Sequence, residues 1–134
     1  MIINRKTREI IDVRQRKGSV HDFKIYKETI ADAIDSSIRV EADLGYLGIE
    51  KLHENSLIPK KASKKHKLTA GEKAYNKPLA RKRVVIEHVN ARIKTFKSMA
   101  YPYRNHCSQT EGLRHLLRMS LICGFINFEL HARK

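Results

Sequence analysis

The stretch Arg81-Lys-Arg-Val-Val-Ile-Glu-His-Val-Asn-Ala-Arg-Ile-Lys-Thr-Phe96 decides how the chain is read. At 3.6 residues per turn, positions three, four and seven apart share a helix face. Val85, Val89, Ile93 and Phe96 then form one apolar stripe of the kind that packs on a core. Arg83, Glu87, Asn90 and Lys94 line the opposite side. Glu87 is a single carboxylate among Arg81, Lys82, Arg83, Arg92 and Lys94. Two readings fit this pattern. One is a surface helix with a Glu87–Arg83 pair one turn apart. The other is a metal ligand set beside a phosphate-binding surface.

Working outward, Leu68 to Phe96 reads as helical, with Thr69 as N-cap and a break or kink at Pro78. Before it, Lys60-Lys61-Ala-Ser-Lys64-Lys65-His66-Lys67 forms a basic run. Between Asn55 and Ile86 ten Lys or Arg face the lone acid Glu72, and like charges on that scale repel. A mobile loop is expected there, one that phosphates would order by neutralising it. The competing reading is a solvated linker. After the helix, Lys97 to Asn105 is a connection whose Tyr101, Tyr103 and Arg104 either stack on bases or pack under the loop. Ser108-Gln-Thr-Glu111 is a capping box for the last helix. Leu113, Leu116, Leu117, Leu121, Ile122, Phe125, Ile126 and Phe128 cover nearly its whole circumference, which predicts a buried helix or a partner interface.

Toward the amino terminus, Met1–Asn4 and Glu9–Arg16 read as two antiparallel strands around a polar turn. Ile11 and Val13 are expected on one face, Ile10, Asp12 and Arg14 on the other. Asp12 is assigned to a solvated sheet face and carries no chemistry. Ser19 caps a helix running to about residue 35, with Asp22 completing an approximate capping box. His21 and Asp22 are better explained by that cap than as an acid–base pair. Ser37–Asp43 is a short strand ending at Asp43, followed by the flexible Leu44-Gly-Tyr-Leu-Gly48. Sites gather at strand ends, so Asp43 is either a ligand there or the cap of a helix that starts near Gly48 and carries Ile49 and Leu52. Ser56–Pro59 is a brief strand that Pro59 stops.

The 134 residues make one domain at most, with net charge +14 and pI near 10.0. That charge points to a polyanionic partner. An apolar content of 41% excludes a disordered basic tail. No apolar run of membrane-spanning length occurs and no signal-peptide core opens the chain, so a cytoplasmic, nucleoid-associated protein is expected. Cys107 and Cys123 read as reduced thiols. The histidines lack the paired spacing of a zinc site, and neither an internal repeat nor a glycine-rich phosphate loop is present.

The order Arg83, Glu87, Lys94 resembles the C-terminal signature of bacterial insertion-sequence transposases of the DDE type. Val40-Glu-Ala-Asp43-Leu-Gly-Tyr46-Leu-Gly48 is similar to that family's second-Asp motif. Gly18-Ser-Val-His21-Asp22 is similar to the segment that opens a helix in the same proteins. Ala80 departs from the pattern, standing where the family often has Tyr.

This resemblance implies an α/β fold, an incomplete ribonuclease-H-like (retroviral-integrase-like) fold with a helical C-terminal part. It implies hydrolysis and transfer of DNA phosphodiesters, in which carboxylates hold two divalent cations about 4 Å apart. Asp43 and Glu87 would be the second and third acids of the trio, binding Mg²⁺ or Mn²⁺. Arg83 and Lys94 would contact phosphate, with Arg83 also orienting Glu87. Lys60, Lys61, Lys64, Lys65, Lys67, Arg81, Lys82, Arg83 and Lys94 would follow the DNA backbone. The family's first Asp lies on a strand before the first hairpin. The expectation is therefore a C-terminal half, inactive alone, that binds DNA and either self-associates or pairs with an N-terminal half. The alternative is a non-catalytic basic DNA-binding protein.

Overall fold

A computed structural model describes residues 1–16, 20–64, 67–100 and 109–133. The chain falls into two compact units, Met1–Lys17 with Lys82–Lys134, and Gly18–Arg81.

In the first unit, β1 (Ile2–Ile3) pairs antiparallel with β2 (Ile10–Asp12). The turn between them is held by Asn4, whose Oδ1 accepts from the N–H groups of Lys6 (2.9 Å) and Thr7 (3.2 Å). Arg8 adopts φ 63°, a left-handed conformation uncommon for a residue with a side chain. Ile2 pairs with Asp12 and Ile3 with Ile10, leaving Ile11 as the extra residue of a bulge. The bulge overturns the strict alternation expected from the sequence. Ile10 is buried and Val13 also packs on the core, while Ile11 is 66% exposed. Asp12 holds an ion pair with Arg14 at 3.1 Å, in keeping with its assignment to the solvated surface.

Helix α2 (Ala70–Lys94) spans 25 residues and continues through Pro78 without a break. A proline ring removes one N–H and crowds the preceding turn, and here the helix absorbs that cost. Its start is a capping box: Thr69 Oγ1 accepts from the Glu72 N–H, and Glu72 Oε2 accepts from the Thr69 N–H. Val89 and Ile93 are buried, Val85 is half-buried and Phe96, past the helix end, is exposed, so the expected stripe is inward only at its centre. A single turn, α3 (Lys97–Ala100), interrupts what reads as a plain connection. The capping segment at Ser108 and the possible stacking group Tyr101, Tyr103 and Arg104 lie outside the described residues.

Helix α4 (Gln109–Ala132) completes this unit. Ile10, Val89, Ile93, Ile122, Cys123 and Ile126 form its core. Of the two outcomes expected for α4, a buried helix or a partner interface, burial within this chain is not what the structure has. Leu113, Leu117, Leu121, Phe125 and Phe128 are exposed, because one layer of neighbours covers only one side of a helix. Asn127 joins α4 to β2. Its amide accepts from the Ile10 N–H and donates to the Ile10 carbonyl, both at 2.9 Å, as a neighbouring strand would.

In the second unit, α1 (Asp22–Thr29) is capped by His21, whose Nδ1 accepts from the Phe23 N–H at 3.2 Å. The Ser19 cap expected from sequence lies outside the described residues. The α-helix stops well before residue 35, and Ala31–Ala33 tightens into a 3₁₀ turn. Val40–Glu41 (β3) pairs parallel with Ser56–Leu57 (β4). His53 is buried, its Nε2 donating to the Ile38 carbonyl at 2.6 Å. Ile49, Tyr26, Ile30 and Leu79 supply the apolar interior.

Candidate active site

Asp43 lies two residues past the end of β3, which covers only Val40–Glu41 of the strand expected over Ser37–Asp43. It caps the 3₁₀ turn Leu44–Tyr46 rather than the helix expected near Gly48, which is only the 3₁₀ turn Ile49–Lys51, and its Oδ1 accepts from the Gly45 N–H at 2.9 Å. A Cβ on residue 45 would stand 3.0 Å from that oxygen, so glycine lets the turn close on the carboxylate. Gly48, at φ +92°, reverses the chain into the next turn, Ile49–Lys51. The Asp43 carboxylate is half-buried and only one of its oxygens is engaged.

Tyr46 anchors this loop. Its ring meets Phe23 and Tyr26 edge-on, with centroids 6.0 and 6.1 Å apart. Burial pushes the Tyr46 phenol above its ordinary range, and the carboxylates of Asp22 and Asp43 push it further. The α1 terminus and the Asp43 loop therefore act on one phenol. Sequence reasoning gave Tyr46 only as part of a motif. Phe23 and Tyr26, three residues apart and so on one face of α1, are the sign of a ring platform that the sequence offers.

Glu87 belongs to the other unit and sits on the exposed face of α2, together with Arg83, Asn90 and Lys94. The Glu87–Arg83 pair of the surface-helix reading is not formed. Glu87 has no hydrogen bond or ion pair among the described residues. Arg92 is drawn out of the cationic frame, since its guanidinium pairs with Glu129 of α4. Arg81 and Arg83 are exposed and Lys82 is half-buried.

Of the basic run, Lys60, Lys61, Lys64 and Lys67 are exposed, and Lys65 lies outside the described residues. The run does not leave Pro59 untethered. The Lys60 N–H donates to Asn76 Oδ1 at 2.8 Å and its carbonyl accepts from Asn76 Nδ2 at 2.9 Å. The Lys60 ammonium lies 6.0 Å from the Tyr75 ring centre, at the outer reach of a cation–π contact. No pattern in the sequence marks Asn76, because its partners are backbone atoms sixteen residues away.

Asp43 and Glu87 offer hard oxygen donors, the chemistry Mg²⁺ and Mn²⁺ favour. Among the described residues, no three His, Cys, Asp or Glu side chains gather into a ligand set. No helix among them is long and apolar enough to cross a membrane.

The DDE superfamily endonuclease family matches residues 1–125. The chain belongs to that family. It is also 41% identical over 130 residues to the probable transposase for insertion sequence element IS702 of Microchaete diplosiphon. The alignment takes in 97% of this chain and 45% of the relative, so the chain spans less than half the relative's length. No solved structure matches. Within this family member, Asp43 lies on a loop tied by Gly45 and Tyr46, and Glu87 lies on an exposed helix face beside Arg83 and Lys94.

Proposed function

We propose that this chain is the C-terminal half of a transposase catalytic domain that cleaves and joins DNA phosphodiesters. The family match over residues 1–125 carries this reading. In it, Asp43 and Glu87 hold divalent cations together with an Asp supplied by polypeptide outside this chain. When bound, the cations activate water or a 3′-hydroxyl and stabilise the leaving oxygen. Arg83 and Lys94 contact the phosphate. Lys60, Lys61, Lys64, Lys65, Lys67, Arg81 and Lys82 follow the backbone by neutralising its charge.

The strand pairs support the same reading. An antiparallel pair and a parallel pair, each two-stranded and two or three residues long, are marginal as separate sheets. Asn127 occupies the outer backbone groups of β2 at Ile10, whereas β1 has no second strand partner among the described residues. A strand carrying the first Asp would pair along β1, extending the hairpin toward a ribonuclease-H-like sheet. Pairing with such an N-terminal half is the partnership this reading requires.

The test is nicking of supercoiled plasmid with Mn²⁺. The chain alone is expected to leave the plasmid intact. A fusion to the part of the relative that lies outside the match is expected to nick it, with activity lost in Asp43→Ala and in Glu87→Ala. Nicking by the isolated chain that both substitutions abolish would refute the incomplete site. A fusion indifferent to both would refute the ligand assignment.

A further inference from the structure

The exposed side of α4 is unusual for a surface helix. Leu113, Leu117, Leu121, Phe125 and Phe128 are 57, 59, 62, 54 and 71% exposed. Their spacing of four, four, four and three residues keeps them on one stripe, opposite the buried Ile122, Cys123 and Ile126. A charged protein gains nothing from displaying such a stripe to water, and contiguous apolar patches of this size mark interfaces. We propose that the stripe is a self-pairing surface, covered by the same stripe of a second copy of this chain running antiparallel.

Three observations select this occupant. The first is self-complementarity. A two-fold axis at Leu121 sets Leu113 against Phe128 and Leu117 against Phe125, so every large side chain meets another. Ser120 and Gly124 open a groove beside Leu121, Phe125 and Phe128, in which the second copy's Leu117 and Leu121 would lodge. The second is charge. The antiparallel arrangement brings Arg114 of one copy toward Glu129 of the other, whose side chain stays 55% exposed beside Arg92. A parallel arrangement would place Arg114 beside its own copy. The third is area. The five side chains expose about 650 Å² per copy, so pairing would bury about 1,300 Å², within the range of specific interfaces.

The experiment is sedimentation equilibrium of the full chain at about 0.3 M salt, where repulsion from the net charge of +14 is screened. A dimer is expected, and the double substitution Leu117→Glu, Phe125→Glu is expected to give a monomer with unchanged helical circular dichroism. Disulfide trapping in a Cys107→Ser background fixes the register independently of that variant. Leu121→Cys should link to itself, while Leu113→Cys and Phe128→Cys should link only when mixed. A wild-type monomer up to ~100 μM, a dimer that survives the double substitution, or Leu113→Cys linking to itself would each overturn the proposal. None of these readouts involves DNA cleavage, so the pairing and the catalytic reading stand or fall separately.

Discussion

Asn127→Ala tests how this chain holds its first hairpin. Asn127 is half-buried and bonds both backbone groups of Ile10, which is itself 6% exposed. Truncation removes two hydrogen bonds, each contributing about 1 kcal/mol net. It also leaves the Ile10 N–H and carbonyl facing the space the amide filled. If no water enters, unsatisfied buried groups cost about 1–3 kcal/mol each, so the expected loss lies at about 2–4 kcal/mol. For a chain of this size that is a drop in melting temperature of roughly 8–15 °C. Asn127→Asp should be at least as damaging, because a carboxylate cannot donate to the Ile10 carbonyl and places charge beside it. Urea unfolding followed by circular dichroism measures both variants. A loss below ~0.5 kcal/mol for Asn127→Ala, with the slope unchanged, would refute the view that this amide substitutes for a neighbouring strand.

Further outcomes are expected elsewhere. DNA affinity should fall steeply with salt, and Lys61→Gln, Lys64→Gln, Lys67→Gln together should flatten the slope of log affinity against log salt by about 2–3, read by fluorescence anisotropy; affinity indifferent to salt would contradict the electrostatic interface. The raised Tyr46 phenol adds stability that is fully present below the ordinary tyrosine range and lost as pH rises through the folded midpoint, so unfolding should become easier in strong alkali. Asp43→Asn should lower the Tyr46 midpoint, measured by ultraviolet absorbance in a Tyr26→Phe background, and an unmoved midpoint would mean that the two groups do not sense each other.

Local patterns were legible in the sequence and contacts between distant segments were not. Thr69 and Glu72 announce their helix start, because a capping box is closed within four residues. Asp43 at a strand end and the exposed row Arg83, Glu87, Asn90, Lys94 follow equally from short-range pattern. The bulge at Ile11 was invisible, since one extra residue in a strand leaves composition untouched while resetting which side chains face inward. Asn127, Asn76 and the Arg92–Glu129 pair were missed for a related reason. Each is a polar side chain whose partner lies at least sixteen residues away, and periodicity carries no information about such partners. The apolar circumference of α4 left open whether the helix is buried or forms an interface, because hydrophobicity reports what a helix face prefers and not whether a neighbour exists to cover it.

The two carboxylates proposed as metal ligands differ in how far the chain has already ordered them. Asp43 is short, follows a strand, accepts from Gly45, and sits on a loop pinned through Tyr46 to Phe23 and Tyr26. Glu87 has a longer side chain on an exposed helix face, with no partner among the described residues. Freezing a free glutamate costs up to about 2 kcal/mol of rotamer entropy, and a bound cation would have to offset that cost. The cations on the same face of its helix, Arg83 and Lys94, are the groups proposed to contact phosphate. A DNA phosphate held by them would bring negative charge beside Glu87, and a divalent ion would relieve that repulsion while ordering the side chain. On the proposed ligand assignment, metal and DNA should therefore bind at Glu87 with mutual support, whereas the Asp43 carboxylate is already ordered by its own loop.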